Sequence, residues 1–134
     1  CDDSDASISP LATESCNLRD DDCDGSFDEG ACDDCTFTDY YDGEIYLYCE
    51  SALAWNAALA ACEDKGYSML VINSAAENAH VDGIADSFSG EKWWFGLTDQ
   101  VTEGTFLTAD GEVPPFLNWH PSEPNNSGNN EDCA

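Results

Sequence analysis

The residues best suited to chemistry lie in the eleven-residue stretch Glu123–Cys133, which is dense in carboxylates and side-chain amides. The oxygen atoms of both groups are ligands that a hard cation such as Ca²⁺ prefers. Glu123 and Asn125 flank Pro124, and a cis peptide bond before this proline would aim both side chains at one point. Glu131 follows across a loop of Asn, Gly and Ser residues. The stretch therefore predicts a calcium site.

A second set of acidic residues lies near the amino terminus. It has the form Asp-x-Asp-x-Asp-Gly, which begins an oxygen-rich calcium loop in which the glycine permits a sharp turn. These residues are Asp20, Asp22, Asp24 and Gly25. An EF-hand would need a glutamate where Ala31 stands, so we expect a shorter loop closed by Asp28 and Glu29. The alternative is a solvated acidic linker, but a linker does not need the cysteines at positions 1, 16 and 23.

The charge balance of the chain excludes several classes of partner. The chain has 29 acidic and 3 basic residues, a formal charge of −26. We therefore expect neither nucleic acid nor anionic membrane surfaces as partners, and we expect bound cations to offset the self-repulsion. The 8 cysteines indicate secretion into an oxidising, extracellular compartment. No apolar run is long enough for membrane insertion, and we expect the leader of a secreted chain to have been removed already.

The middle of the chain predicts an α+β scaffold. Trp55 lies among alanines at helical spacing, which indicates a core position. Ser74 and Glu77 form a capping box that begins a second helix, which Gly83 weakens. The expected elements are a hairpin with its turn at Asp42-Gly43, a helix over 52–65 that ends at Gly66, a strand over 68–72 and a helix from 74 through 88.

The combination of Glu-Pro-Asn with the later Glu-Asp-Cys resembles the long loop of mannose-type C-type lectin domains. The 24 residues from Asp99 to Glu123 match the spacing of the mannose-binding members of that family. The resemblance implies a C-type lectin-like fold over 35–134, with two helices, small antiparallel sheets and a long calcium-binding loop. Residues 1–34 resemble an Asp-rich metal-binding repeat of secreted bacterial proteins, which implies a small module stabilised by disulfides and metal.

The resemblance also assigns calcium ligands. The sugar-facing site takes Glu123, Asn125 and Glu131. The accessory site takes Asp99, Glu103, Asn126, Glu131 and Asp132. The amino-terminal module takes Asp20, Asp22, Asp24, Asp28, Asp2 and Asp5. The order of carboxylate and then amide at Glu123 and Asn125 favours equatorial 3- and 4-hydroxyls, as in mannose, glucose or N-acetylglucosamine, and fucose is also accommodated; galactose would need Gln and Asp there.

The cysteines of the lectin-like region follow from the same resemblance. It implies a Cys35–Cys49 bridge, as in long-form members of the family. It also implies that Cys62 and Cys133 bridge to cysteines on a further strand, which carries an Asn-Asp pair that completes the sugar-facing calcium site. These residues are not among the 134 in hand. A Cys62–Cys133 bridge and completion of the site by another subunit stay open as alternatives.

Two functions of different class fit these features. The first is a secreted calcium-dependent lectin module for mannose-, glucose- or fucose-type glycans, whose weak single site would need several copies for avidity. The second is a calcium-stabilised structural or adhesive subunit of an extracellular assembly or filament, which contacts another protein subunit or a copy of itself. No Ser/His/Asp or Cys/His set has motif support, and a glycosidase would need a paired acid and base in a cleft. We therefore expect no enzymatic activity.

Overall fold

The computed structural model describes residues 4–17, 19–28, 30–32, 35–88 and 92–134. The chain divides into a first unit, Cys1–Leu53 with Asp64–Gly66, and a second unit, Ala54–Glu63 with Tyr67–Ala134. The elements are β1 (Cys35–Tyr41), β2 (Glu44–Cys49), α1 (Trp55–Asp64), α2 (Ala75–Ala85), β3 (Leu97–Thr98), β4 (Leu107–Thr108) and a 3₁₀ turn (Ser127–Asn129). The two helices and two small antiparallel sheets confirm the predicted α+β class. The boundary between residues 34 and 35 stays a prediction.

The first unit contains the predicted hairpin. Strands β1 and β2 pair antiparallel, and Asp42 and Gly43 connect them. Both turn residues have positive φ, 50° and 94°, as a tight hairpin turn of right-handed twist requires. A disulfide between Cys35 and Cys49 joins the open end of the hairpin and confirms the predicted bridge. Tyr48 is buried in this unit, and burial, together with the carboxylate of Asp39, raises its pKa to about 12.

The amino-terminal part of the first unit buries carboxylates where a larger domain would bury apolar side chains. Asp28 and Asp21 are only 1 % and 4 % exposed. A disulfide links Cys16 to Cys32, and Cys23 is also disulfide-bonded. Since a segment this small buries little apolar area, covalent links and satisfied polar groups supply its order.

The second unit has a conventional apolar core. Trp55, at the start of α1, is 6 % exposed, and its Nε1–H donates to the carbonyl of Phe95 at 2.7 Å. Both observations confirm the predicted core role of this tryptophan. Helix α1 ends before Gly66, whose φ of +85° is left-handed, so the predicted stop is also confirmed. Among the described residues of this unit, Met69, Val81 and Leu97 are also buried.

Helix α2 begins with the predicted cap. Ser74 accepts a hydrogen bond from the Glu77 backbone N–H at 3.1 Å. The Glu77 carboxylate reaches back to the N–H of Asn73, one residue before the cap, at 2.6 Å. The helix ends at Ala85, so the prediction that it continues through Phe88 is too long. The residues after Ala85 continue only as a turn.

The predicted strand over 68–72 is wrong, because this segment forms no strand in the described chain. Its position is instead fixed by Gly96, whose N–H donates to the carbonyl of Leu70 at 2.7 Å. The backbones come so close that a Cβ on Gly96 would lie 2.9 Å from the Met69 carbonyl oxygen. Close backbone packing at Gly96 therefore holds residues 68–72 in place of the hydrogen bonds of the expected strand.

Strand β3 receives partners on both sides. It pairs with β4 through Leu97↔Thr108 and Thr98↔Leu107. On the other side, Thr98 forms an isolated antiparallel bridge with Cys133, and the Ala134 N–H donates to the Leu97 carbonyl at 3.0 Å. The residues directly after β3 and those directly before Cys133 are therefore neighbours.

Candidate functional site

The segment between residues 99 and 132, here called the long loop, is closed at its base by strand β3. The Asp99 N–H donates to the Asp132 carbonyl at 3.0 Å. The Thr98 hydroxyl donates to the same carbonyl at 2.7 Å. Two residues that the sequence assigns as ligands, 33 positions apart, are thus adjacent through their backbones.

Asp99 carries the buried carboxylate of the loop. Its side chain is 4 % exposed, and Oδ2 accepts a hydrogen bond from the Gly104 N–H at 2.7 Å. Among the described residues, buried Oδ1 has no hydrogen-bond partner. A buried charged oxygen left unsatisfied costs more than a neutral one, and native proteins rarely leave one without a protein, water or ion partner. The Asp99 carboxylate therefore fits a cation ligand.

Asn126 connects two further carboxylate residues of the loop. Its backbone is left-handed, with φ 48° and ψ 46°. Its Nδ2 donates to Glu103 Oε1 at 2.6 Å, and its Oδ1 accepts from the Glu131 N–H at 3.3 Å. The Glu131 carboxylate in turn accepts from the Ser127 N–H at 2.7 Å. One amide side chain thus brings together Glu103 and Glu131, two predicted ligands of the accessory site.

Glu123 and Asn125 lie side by side on the exposed surface. The Glu123–Pro124 peptide bond is cis. Asn125 Nδ2 donates to Glu123 Oε1 at 2.6 Å, and the Asn125 N–H donates to Oε2 at 3.1 Å. A charged acceptor and an amide donor therefore stand next to each other at the surface, which is the pairing that recognition of a hydroxyl group requires.

The loop does not bring its carboxylates into one tight cluster. Within the described residues, groups of three or more ligand side chains whose ligand atoms all lie within 4.8 Å of one another occur only in the first unit. In the long loop, neutral N–H groups and amides are the hydrogen-bond donors to the carboxylates, and like charges repel at short distance. The assignment of Asp99, Glu103, Glu131 and Asp132 to shared ions stays a prediction.

One cluster of carboxylates does form in the first unit, and the sequence identified only part of it. Oxygen atoms of Glu14, Asp20 and Asp22 all lie within 4.8 Å of one another. Glu14 also accepts from the backbone N–H groups of Asp22, at 2.8 Å, and Asp28, at 3.0 Å. No sequence signal indicated Glu14, because it stands six residues before the Asp-rich run and in no spacing motif.

Two other predicted ligands of the amino-terminal module, Asp24 and Asp28, lie outside this cluster. Asp24 accepts from a backbone N–H within its own turn at 2.8 Å. Asp28 is buried and accepts from the Asn17 N–H at 2.9 Å, close to the Cys16–Cys32 disulfide. Asp2 lies outside the described residues. The assignment of these three residues as ligands stays a prediction.

Asp5 pairs with neighbouring side chains of the first unit, and its assignment as a ligand stays a prediction. Hydrogen bonds from the hydroxyl and N–H of Ser7, together with the Arg19 guanidinium, lower its pKa to about 2. The ion pair with Arg19 measures 3.0 Å. Since both charges are exposed, this pair holds the turn locally and contributes little to global stability.

Comparisons with known proteins agree with this architecture. The family model "Lectin C-type domain" matches residues 51–134, and a metal-binding motif model named for copper-binding MopE matches residues 1–29. The hepatic lectin of Gallus gallus is 36% identical over 98 residues, which are 72% of this chain and 46% of that protein. The human CD209 antigen is 36% identical over 98 residues, 71% of this chain and 24% of that protein. The chain thus spans less than half the length of these relatives.

Comparison with solved structures also finds C-type lectin domains. The carbohydrate-recognition domain of cow CD23, determined in the presence of GlcNAc2Man3 oligosaccharide, is 31% identical with a TM-score of 0.62 and covers 72% of each chain. The domain of the human scavenger receptor C-type lectin is 27% identical with a TM-score of 0.63 and covers 72% of this chain and 77% of that one.

The chain therefore belongs to the C-type lectin domain family, and both resemblances drawn from the sequence are confirmed. Members of this family bind carbohydrate and are not enzymes, and the matched region of this chain is a domain of that family. None of the helices among the described residues is long and apolar enough to cross a membrane. The relatives named above are vertebrate proteins, and a bacterial origin of the chain stays a prediction.

Proposed function

We propose that the chain is a secreted, calcium-dependent lectin module that binds terminal mannose, glucose or fucose residues of glycans at Glu123, Asn125 and Glu131. The observation that carries this proposal is the pairing of Glu123 with Asn125, in which an exposed carboxylate and an amide stand 2.6 Å apart. Secretion is supported by the disulfides of the first unit, since such bonds persist in oxidising compartments.

The two side chains have complementary roles toward a sugar with neighbouring hydroxyls. Glu123 accepts a hydrogen bond from one hydroxyl, and the Nδ2 group of Asn125 donates to the oxygen of the next. In the structure these groups satisfy each other, so sugar binding exchanges one internal hydrogen bond for two external ones. When bound beside them, calcium supplies coordination positions that the same hydroxyl oxygens can fill.

The long loop offers a second position for a cation. All of its candidate ligand atoms are carboxylate or amide oxygens, the donor set that calcium prefers over softer metals. The buried Oδ1 of Asp99 is the strongest support, because a cation would satisfy an oxygen that has no partner among the described residues. The remaining candidate ligands are Glu103, Asn126, Glu131 and Asp132. A cation here would neutralise the base of the loop and hold Glu131 toward the sugar-facing site.

The first unit is proposed to bind a hard cation of its own. Glu14, Asp20 and Asp22 supply the converging oxygens, and the match of residues 1–29 to a metal-binding motif supports the proposal independently. The all-oxygen ligand set favours calcium over copper, which prefers nitrogen and sulfur ligands. Its role would be stabilisation, because three like charges held this close repel one another without a counterion.

An exchange of the two sugar-facing ligands tests the proposed function. Glu123→Gln with Asn125→Asp keeps the net charge and reverses the order of carboxylate and amide. We expect the wild type to bind mannose conjugates in millimolar calcium and to lose this binding in chelator. We expect the double variant to prefer galactose. Binding is measured on immobilised monosaccharide conjugates, presented densely because a single site is weak.

A matched control uses Glu63→Gln with Asn56→Asp, an equivalent exchange at exposed positions of helix α1. This control should retain the mannose preference. Unchanged preference in the Glu123/Asn125 variant would contradict the assigned sugar site. Calcium-dependent self-association in sedimentation experiments, without binding to any sugar, would instead support a structural subunit.

A further inference from the structure

The carboxyl-terminal third of the chain has an unusual charge composition. Between residues 93 and 134 there are 7 acidic residues and no lysine or arginine. The acidic residues are Asp99, Glu103, Asp110, Glu112, Glu123, Glu131 and Asp132. All of them except Asp99 and Asp132 are exposed. The surface around the proposed sugar site therefore carries negative charge.

The local hydrogen bonds do not remove this charge. Glu123, Glu103 and Glu131 accept hydrogen bonds from side-chain amides and backbone N–H groups, which are neutral donors. Neutral donors orient a carboxylate and strengthen its hydrogen bonding, but they leave its field in place.

Calcium in the two proposed loop positions would not reverse the sign. The five loop carboxylates of the proposed ligand set carry five negative charges, and two divalent ions supply four positive ones. Asp110 and Glu112, which are outside that set, add two more negative charges. The rest of the chain is also strongly anionic.

Building on the proposed function, we infer that this site discriminates between glycans by charge: it accepts neutral mannose-type glycans and rejects those that carry phosphate, sulfate or carboxylate groups near the bound sugar. The physical cause is like-charge repulsion, which both slows association and penalises the bound complex. The discrimination extends over about 10 Å at 0.1 M ionic strength and weakens as salt is added.

His120 marks the position where this selectivity can be changed. It is exposed, and its backbone carbonyl accepts the Glu123 N–H at 2.8 Å, so the two residues are neighbours through their backbones. Its Nδ1 lies 3.0 Å from the Ser122 hydroxyl, and it belongs to none of the proposed ligand sets. A lysine here would place a permanent cation beside the site without removing a ligand.

The test compares conjugates of mannose, mannose 6-phosphate and 6-O-methylmannose in excess calcium. All three keep the 3- and 4-hydroxyls, and the methyl ether controls for bulk at the same carbon. We expect the wild type to bind the phosphate about five- to tenfold more weakly than both neutral sugars at low salt, with a smaller difference at high salt. His120→Lys should reduce the difference, whereas the neutral control His120→Gln should retain it.

Equal binding of the phosphate and the two neutral sugars at low salt would overturn the inference and leave the proposed function intact. A difference that persists unchanged at high salt and in His120→Lys would also overturn it, because the cause would then be shape. Failure to bind any of the three conjugates would refute the proposed function and the inference with it.

Discussion

The contact at Gly96 gives a sharp test of how the second unit is held together. A Cβ at this position would lie 2.9 Å from the Met69 carbonyl oxygen and 3.3 Å from that of Leu70. Both are backbone atoms, so neither can move aside as a flexible side chain would. The Gly96→Ala variant must therefore separate the two chain segments and stretch the 2.7 Å hydrogen bond from the Gly96 N–H to Leu70.

The expected loss of stability is the sum of three contributions to the free energy of unfolding. Forcing a methyl group into a packed site costs about 1–3 kcal/mol, and weakening a buried hydrogen bond costs about 1 kcal/mol. The lower entropy of an unfolded chain with alanine offsets about 0.4–1 kcal/mol. We therefore expect a net destabilisation of about 1–3 kcal/mol, or a Tm lower by roughly 3–10 °C for a chain of this size. Because Gly96 is three residues before Asp99, calcium affinity should also fall.

The natural control is Gly83→Ala within helix α2. A Cβ at Gly83 meets nothing within 4 Å, and alanine is the better helix former. The free energy of unfolding of this variant should therefore rise by about 0.5–1 kcal/mol. All 4 tryptophans lie in the second unit, so urea unfolding followed by tryptophan fluorescence reports on that unit. A Gly96→Ala variant that is as stable as the wild type, or whose stability changes in the same direction as that of Gly83→Ala, would contradict the role assigned to this contact.

Two further predictions concern the first unit. Because the folded pKa of Tyr48 is raised to about 12, the protonated form is favoured, and its contribution to stability is present below pH 10 and lost between about pH 10 and 12. Tyrosinate absorbance should show a late-titrating component that disappears in Tyr48→Phe, and its persistence in that variant would rule out Tyr48 as the source. Asp22→Asn keeps the oxygen that accepts from the Asp24 N–H at 3.1 Å but removes a charge from the acidic cluster. It should lower the thermal stability of the first unit in calcium and not in chelator, and an equal loss in both media would count against a cation at Glu14, Asp20 and Asp22.

Local signals in the sequence predicted the local structures well. Ser74 with Glu77 fixed the start of helix α2, and Asp42-Gly43 fixed the hairpin turn. In each case the residues that carry the signal are the ones that make the contacts, because capping groups and positive φ angles act within a few residues. The pairing of Glu123 with Asn125 was found for the same reason.

The errors concern contacts between residues that are distant in the sequence. Residues 68–72 have an apolar strand-like composition, but Gly96 determines their conformation, and nothing within the segment indicates this approach. Glu14 likewise reaches the acidic cluster by a chain reversal that no spacing motif encodes. Helix α2 ends at Ala85, earlier than its composition suggests, since helix ends depend on tertiary packing as well as on intrinsic propensity.

Among the described residues, Cys62 and Cys133 form no disulfide, and both side chains are partly accessible. Cys133 follows Asp132 directly, and its Sγ accepts a hydrogen bond from the Gln100 side-chain amide at 3.0 Å, beside the base of the long loop. A maleimide dye attached there in a Cys62→Ser background would sit within reach of every event that reorders the loop. Within residues 1–134, Cys133 thus offers an attachment point for an optical sensor of cation and glycan occupancy.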